Sequence, residues 1–306
     1  IGALIIVFYT MLGGFFAVAW TDMIQGIVMI ATLTILPIVG LIELSNHSYS
    51  GSVFSFSNLY SGEVGTSAFI LAVGGLSWGL GYMGQPHLVT RFMAINSPRN
   101  IETARWVAIS WAIPAFFGAM IIGLVGAKLI ASGAIAMPAD SEKIMPILAM
   151  TLLPSWLAGI FISGAIAAMM STADSQLLVA SSVISKDIYQ GFINRESTDR
   201  ELLVISRILT IIVGFIAFML AYSSDSLVFD LVGYAWSGLG ASFGPALILT
   251  LWWRRTSQIG VLMGMVTGTM LTIYDITSGL ITVRVTSFIF AFLATILGSY
   301  LFPRRS

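Results

Sequence analysis

The sequence has no cysteine in its 306 residues. That excludes a disulfide framework, a thiolate metal site and a cysteine nucleophile. Charge is scarce as well. Asp, Glu, Lys and Arg make up 9% of the chain, where a soluble domain carries roughly 25%. The 14 basic and 14 acidic residues balance, and neither sign forms a run or tail, so nothing points to nucleic acid. Histidine occurs only at His47 and His87, too far apart in sequence for metal-ligand spacing. No Ser/His/Asp constellation is legible either, so no catalytic residue is assigned and no enzyme activity is expected. An initiator Met and a signal peptide are also lacking. The chain opens at Ile1 inside an apolar run, and we expect a piece of a longer chain.

What is present is hydrocarbon. Apolar residues make up 57% of the chain, and the mean hydropathy is +0.94. A soluble core cannot absorb that much apolar surface and still leave a polar exterior, so the class is an all-α polytopic membrane protein. Eight stretches are long enough to cross a bilayer, near 22–43, 66–87, 106–127, 155–185, 202–221, 232–252, 258–275 and 284–303. Residues 1–12 read as the end of a ninth, and Gly13-Gly14 marks its turn. The 155–185 stretch is too long to stand upright in a bilayer and must tilt or project. Pro37, Pro114 and Pro245 fall inside spans, where neighbouring helices can re-satisfy the freed backbone groups. No linker or compositional break divides the chain, so 1–306 reads as one transmembrane domain.

Basic residues alternate between the two ends of these spans. Eleven cluster after the second, fourth, sixth and eighth spans, including Arg91, Lys186, Arg254 and Arg304. Only Lys128, Lys143 and Arg284 fall on the other side. The positive-inside rule makes the richer side cytoplasmic, with the C-terminus inside and the 44–65 loop outside.

Two acids lie at membrane depth. Asp22 opens the first full span, and a helix N-terminal acid favoured by the dipole is one reading of it. Asp174 lies well inside the fourth span, in AIAAMMSTADSQLLVASS. Buried acids usually pair or line a polar path; a solvated residue on a projecting helix is the alternative. Ala168, Ser171, Thr172 and Ser175 share one helical face at i, i+3, i+4 and i+7. Those hydroxyls could glue neighbouring helices together or offer hard oxygen ligands to an alkali cation.

The stretch WGLGYMGQP, residues 78–86, is too rich in glycine for a simple span, and Pro86 cannot donate an amide proton. Unwound backbone at membrane depth survives only where protein buries it or it lines a cavity. Transporters use such broken helices to present free amides and carbonyls to a solute. Trp78 and Tyr82 would share one face there, as a pocket or as an interfacial aromatic belt. YAWSGLGASFGP, residues 234–245, is a second glycine-rich aromatic stretch; Tyr234 and Trp236 would sit near its outer end, as gate or anchor.

Four segments, YTMLGGFFAVAWTDMIQ, WGLGYMGQPHLVTRFMA, AAMMSTADSQLLVASSVISKDIY and YAWSGLGASFGP, together resemble the sodium:solute symporter family, nearest to its sodium/proline branch. The resemblance covers essentially the whole chain. It implies an inverted five-helix-repeat transporter fold with broken helices. Residues 1–43 would end the first repeat, 66–252 would form the second, and 258–303 would be extra C-terminal helices. The first broken helix would lie ahead of residue 1. It further implies a sodium site using the Ala168 carbonyl and the Ser171 and Thr172 hydroxyls, with other ligands on that absent helix. Members with two sodium ions place an acid where Asp22 stands and a hydroxyl where Ser175 stands. They carry a further hydroxyl at position 174, and Asp174 departs from that pattern. The solute pocket would use Trp78, Tyr82, Gln85 and Pro86, with Tyr234 and Trp236 toward the outer gate.

The implied function is sodium-coupled secondary transport of a small organic solute, L-proline foremost, across the bacterial inner membrane by alternating access, with sodium as coupling ion and no organic cofactor. Another amino acid, a betaine or a small carboxylate would also suit the pocket. A proton-coupled carrier is the runner-up because of Asp174. A channel would need a filter-like repeat, and none is visible.

Overall fold

The computed structural model describes residues 2–46, 65–224, 227–278 and 283–303. Most of the expected outer loop, together with Arg304 and Arg305, lies outside the described residues, which are helical and contain no strand. In chain order the helices are α1 (Gly2–Asn46), α2 (Thr66–Leu76), α3 (Trp78–Tyr82), α4 (Pro86–Met93), α5 (Pro98–Ala131), α6 (Ile144–Leu152), α7 (Ser155–Val183), α8 (Asp199–Tyr222), α9 (Val228–Trp252), α10 (Gln258–Ser278) and α11 (Val283–Leu301). A short 3₁₀ turn, Ser141–Lys143, precedes α6, and α7 runs on as a π-helix over Ile184–Ile193.

Glycine and proline break the helices where the sequence placed breaks. Gly14 has φ 57° and ψ −155° inside α1, a conformation that only glycine adopts readily. The 66–87 stretch is not one helix. It stops at Tyr82 and restarts at Pro86, with Gln85 extended at φ −80° and ψ 112°, and the two parts bend by 44°. Other boundaries follow from caps. Ser97 precedes Pro98 at the start of α5 and accepts from the Arg99 amide, and the Thr198 side chain accepts from the Glu201 amide at the start of α8. The sequence reading placed no helix at 144–152.

Among the described residues, four helices are long and apolar enough to cross a membrane, namely Gly2–Asn46, Pro98–Ala131, Ser155–Ile193 and Asp199–Tyr222. The bent pair α2–α4 makes a fifth if counted as one span. α9 is as long, but glycine, serine and tryptophan dilute its aliphatic content, and the apolar parts of α10 and α11 are shorter. Outward faces are greasy: Phe116, Phe215 and Leu220 are all more than half exposed. That pattern suits lipid rather than water as the outer solvent.

The helices form two compact units, each described by itself. The first joins Ile1–Phe54 to Ile95–Ser224, and the second joins Ser55–Ala94 to Asp225–Ser306. In the first, α1 packs on α5, α6, α7 and α8. Its core gathers Leu36, Ile122, Val125, Leu129, Leu148, Ala149 and Phe161. Two close approaches lie at prolines. Pro37 has no amide proton for the Leu33 carbonyl one turn earlier, and Gly118 of α5 lies so close that a Cβ would collide with that oxygen. The second unit repeats the device. Pro245 of α9 frees the Ala241 carbonyl, and Gly268 of α10 fits against it. Gly260 and Gly264 likewise let α10 meet Thr295 and Ser299 of α11, and Ser299 Oγ accepts from the Ser257 amide at 3.1 Å.

These contacts separate two glycines of α5. Gly123 has open space beside it, so Gly123→Ala should gain about 1 kcal/mol through helix propensity. Gly118→Ala should lose about 1–3 kcal/mol by overpacking against backbone. Melting curves of the two detergent-solubilised variants should therefore shift in opposite directions.

Candidate functional site

In the first unit, α7 presents its polar face as the spacing predicted. Ser171 Oγ and Thr172 Oγ1 both donate to the Ala168 carbonyl, at 3.0 and 3.2 Å. Ser175 Oγ donates to the Ser171 carbonyl at 2.8 Å and lies 3.2 Å from Asp174 Oδ1. Hydroxyl protons committed to carbonyls leave oxygen lone pairs available to a cation. Thr172 is exposed and Ser171 partly buried.

Asp174 is 0% exposed, which disposes of the reading as a solvated residue. The Tyr9 hydroxyl, from α1 ahead of the Gly14 break, donates to Asp174 Oδ2. Gln25 and Asp22, both beyond the break, lie near the same phenol. Asp22 therefore does not open a helix. It lies about two turns past the Gly14 break, beyond the first turn where a helix dipole favours an acid, so the helix-dipole reading fails. Gln25 Oε1 is buried with no hydrogen-bond partner among the described residues. Such an orphaned acceptor beside carboxylates suits a cation. Arg207 of α8 steadies the break itself, its Nε donating to the Met11 carbonyl at 3.2 Å.

In the second unit, the broken stretch gathers aromatic rings around Trp236 of α9. The Trp236 ring is met edge-on by Tyr82 at 5.0 Å, and is approached by Trp78 at 6.4 Å and by His87 at 6.2 Å. Phe229 packs against Trp78 at 5.3 Å with the rings tilted by 37°, and Trp236 Nε1 donates to the Trp78 carbonyl at 3.3 Å. Glycines permit this: a Cβ on Gly81 would enter the Trp236 ring, and one on Gly84 would strike the Leu239 carbonyl. Gln85 is fully buried. Its Nε2 donates to the Gly81 carbonyl at 3.3 Å, and its Oε1 has no hydrogen-bond partner among the described residues. Pro86 starts α4 directly after it. The cavity beside Trp78, Gly81, Trp236, Ser237 and Phe288 is about 10 Å³, room for about one water.

The structure thus brings Trp78, Tyr82 and Trp236 together and sets Gln85 and Pro86 at the break. Tyr234 is partly buried and does not join the ring cluster. Sequence reasoning missed Tyr9 and Gln25, although both lie in the YTMLGGFFAVAWTDMIQ segment. It also missed His87 and Phe229. His87 follows Tyr82 across a break, where helical spacing carries no information.

Helices throughout the described residues, one of them broken, with hydroxyl and carbonyl oxygens lined up on one face of α7, suit a membrane transporter. The profile of the sodium:solute symporter family matches residues 1–268. The chain is 36% identical over 277 residues to an osmoregulated proline transporter of Bacillus subtilis, covering 90% of this chain and 56% of that protein. It is 36% identical over 271 residues to the sodium/proline symporter of Salmonella typhimurium, covering 87% of this chain and 54% of that one. Among solved structures, the substrate-bound outward-open state of a Na+-coupled sialic acid symporter matches with a TM-score of 0.75 at 19% identity, over 99% of this chain and 66% of that one. The chain belongs to the sodium:solute symporter family and is a multi-pass membrane protein with that fold. It spans about half the length of the curated relatives it matches.

Ring packing around Gly81 gives a direct check. Gly81→Val should displace Trp236 and change tryptophan fluorescence, at a stability cost of about 1–3 kcal/mol. Gly79→Val, where nothing lies within 4 Å, should leave the spectrum unchanged.

Proposed function

We propose that this chain serves a sodium-coupled secondary active symporter that imports a small organic solute, L-proline above others, through the bacterial inner membrane with its C-terminus cytoplasmic. The observation that carries this reading is the α7 face, where the Ala168 carbonyl meets the Ser171 and Thr172 hydroxyls, in a chain of this family. Relatives named as proline transporters support the solute. In this reading Ala168, Ser171 and Thr172 bind one sodium ion, and Asp22, Asp174 and Ser175 serve a second. Trp78, Tyr82, Gln85 and Pro86 form the solute pocket, with Tyr234 and Trp236 toward the outer gate. Residues 1–43 end the first repeat of a single transporter domain, 66–252 form the second repeat and 258–303 flank it.

The physics of coupling is differential affinity. An ion drives a conformational change only by binding one state better than the other. Sodium on α7 favours the outward-open state, solute binding lets one helix bundle rock against another, and low cytoplasmic sodium empties the site. With room for one water in this conformation, the rings around Trp236 must separate to admit a solute. No bond in the solute is made or broken. Proton coupling is the second reading, favoured by the wholly buried Asp174 carboxylate.

Labelled proline uptake by the full-length protein in proteoliposomes tests both. Accumulation under a sodium gradient, lost when potassium replaces sodium and lost in Ser171→Ala and Thr172→Ala, is the expected result. Accumulation in potassium driven by a pH gradient alone would sink sodium coupling. Sodium-driven uptake of another solute would retain the mechanism and discard proline. Gln85→Leu keeps approximate shape and removes an unsatisfied acceptor, so stability should change by less than about 1.5 kcal/mol while the half-saturating solute concentration rises about tenfold.

A further inference from the structure

A carboxylate buried as completely as Asp174 needs something to hold it. Its two oxygens are treated differently. Oδ2 takes the Tyr9 hydroxyl. Oδ1 lies 3.2 Å from Ser175 Oγ, whose proton has a closer acceptor in the Ser171 carbonyl at 2.8 Å. The phenol therefore holds the carboxylate plane, leaving the second oxygen along the hydroxyl face of α7. Tyr9 also stands at a junction. It lies ahead of the Gly14 break, while Asp22 and Gln25, near the same phenol, lie beyond it. The buried Gln25 Oε1 has no hydrogen-bond partner among the described residues, and a bound cation would give it one.

We propose that Tyr9 is a positioning residue for cation binding: it turns Asp174 so that Oδ1 joins the Ser171 and Ser175 oxygens, and it ties that face of α7 to the break in α1. This rests on the sodium-coupled reading above. The phenol need not touch the ion. Its hydrogen bond to the carboxylate, of the strong kind when that group is ionised, orients it before the ion arrives, so that less ordering remains to be done on binding.

The test is equilibrium sodium binding to the purified full-length protein in lipid nanodiscs, read both with labelled sodium and as the sodium-dependent shift in melting temperature. Tyr9→Phe should raise the half-saturating sodium concentration about tenfold. In an Asp174→Ser background the same substitution should add nothing, because the partner through which it acts is gone. A tyrosine with only a packing role would lower the sodium-free melting temperature while leaving half-saturation unchanged, or would add its effect equally in both backgrounds; either result overturns the proposal. Asp174→Asn serves as the second variant should Tyr9→Phe fail to fold. It keeps shape and one acceptor oxygen, is expected to lose a similar factor, and unchanged binding there would also overturn the assignment. Wild-type protein that folds but binds no sodium would instead overturn the coupling reading beneath it. Wild-type binding that Tyr9→Phe leaves intact would overturn the Tyr9 assignment alone.

Discussion

Inside hydrocarbon, a backbone amide or carbonyl that loses its helical partner has no water to replace it, and each such group costs several kcal/mol. Every departure from regular helix in this chain therefore needs a protein partner. Pro37 and Pro245 release the Leu33 and Ala241 carbonyls, and in each case a glycine from a neighbouring helix presses against the freed oxygen. Gly14 interrupts α1, and Arg207 donates to the Met11 carbonyl ahead of the interruption. At the Gly84–Gln85 break, the amides of both residues turn back onto the Gly81 and Tyr82 carbonyls. At Pro37 and Pro245 the freed carbonyl and the close glycine contact are one feature seen from two helices.

The same constraint places the polar side chains. Once a helix is broken or approached closely, the surrounding space is no longer lipid, and polar groups can live there. Asp174, Ser175 and Gln85 are all buried, and all lie against or within such a region. The exterior, by contrast, is occupied by Phe116, Phe215, Leu220 and similar side chains. Oxygen-bearing groups are thus confined to such enclosed regions beside an otherwise apolar core.

Much of this was legible along the chain. The Gly13-Gly14 turn and the interrupted WGLGYMGQP helix could be read because glycine and proline act locally, through φ and a missing amide proton. The i, i+3, i+4, i+7 series from Ala168 to Ser175 could be read because α7 keeps helical period through it. Other features could not. Asp22 looked like a helix start because hydropathy changes near it, yet α1 runs straight past. The short helix at 144–152 is too brief to show a period. His87 and Phe229 reach the ring cluster from beyond a break and from another helix, and no spacing rule bridges either gap.

The sequence by itself determined the solvent, the helical class, the places where helices break and the polar face of α7, since composition and local stereochemistry act on each residue and its near neighbours. Only the tertiary structure decided which polar groups meet. Tyr9 and Asp174 are separated by 165 positions, and Trp78 and Trp236 by 158. Such pairs exist because glycines let two particular backbones approach, and the identity of the partner across that contact is a property of packing, written in neither segment alone.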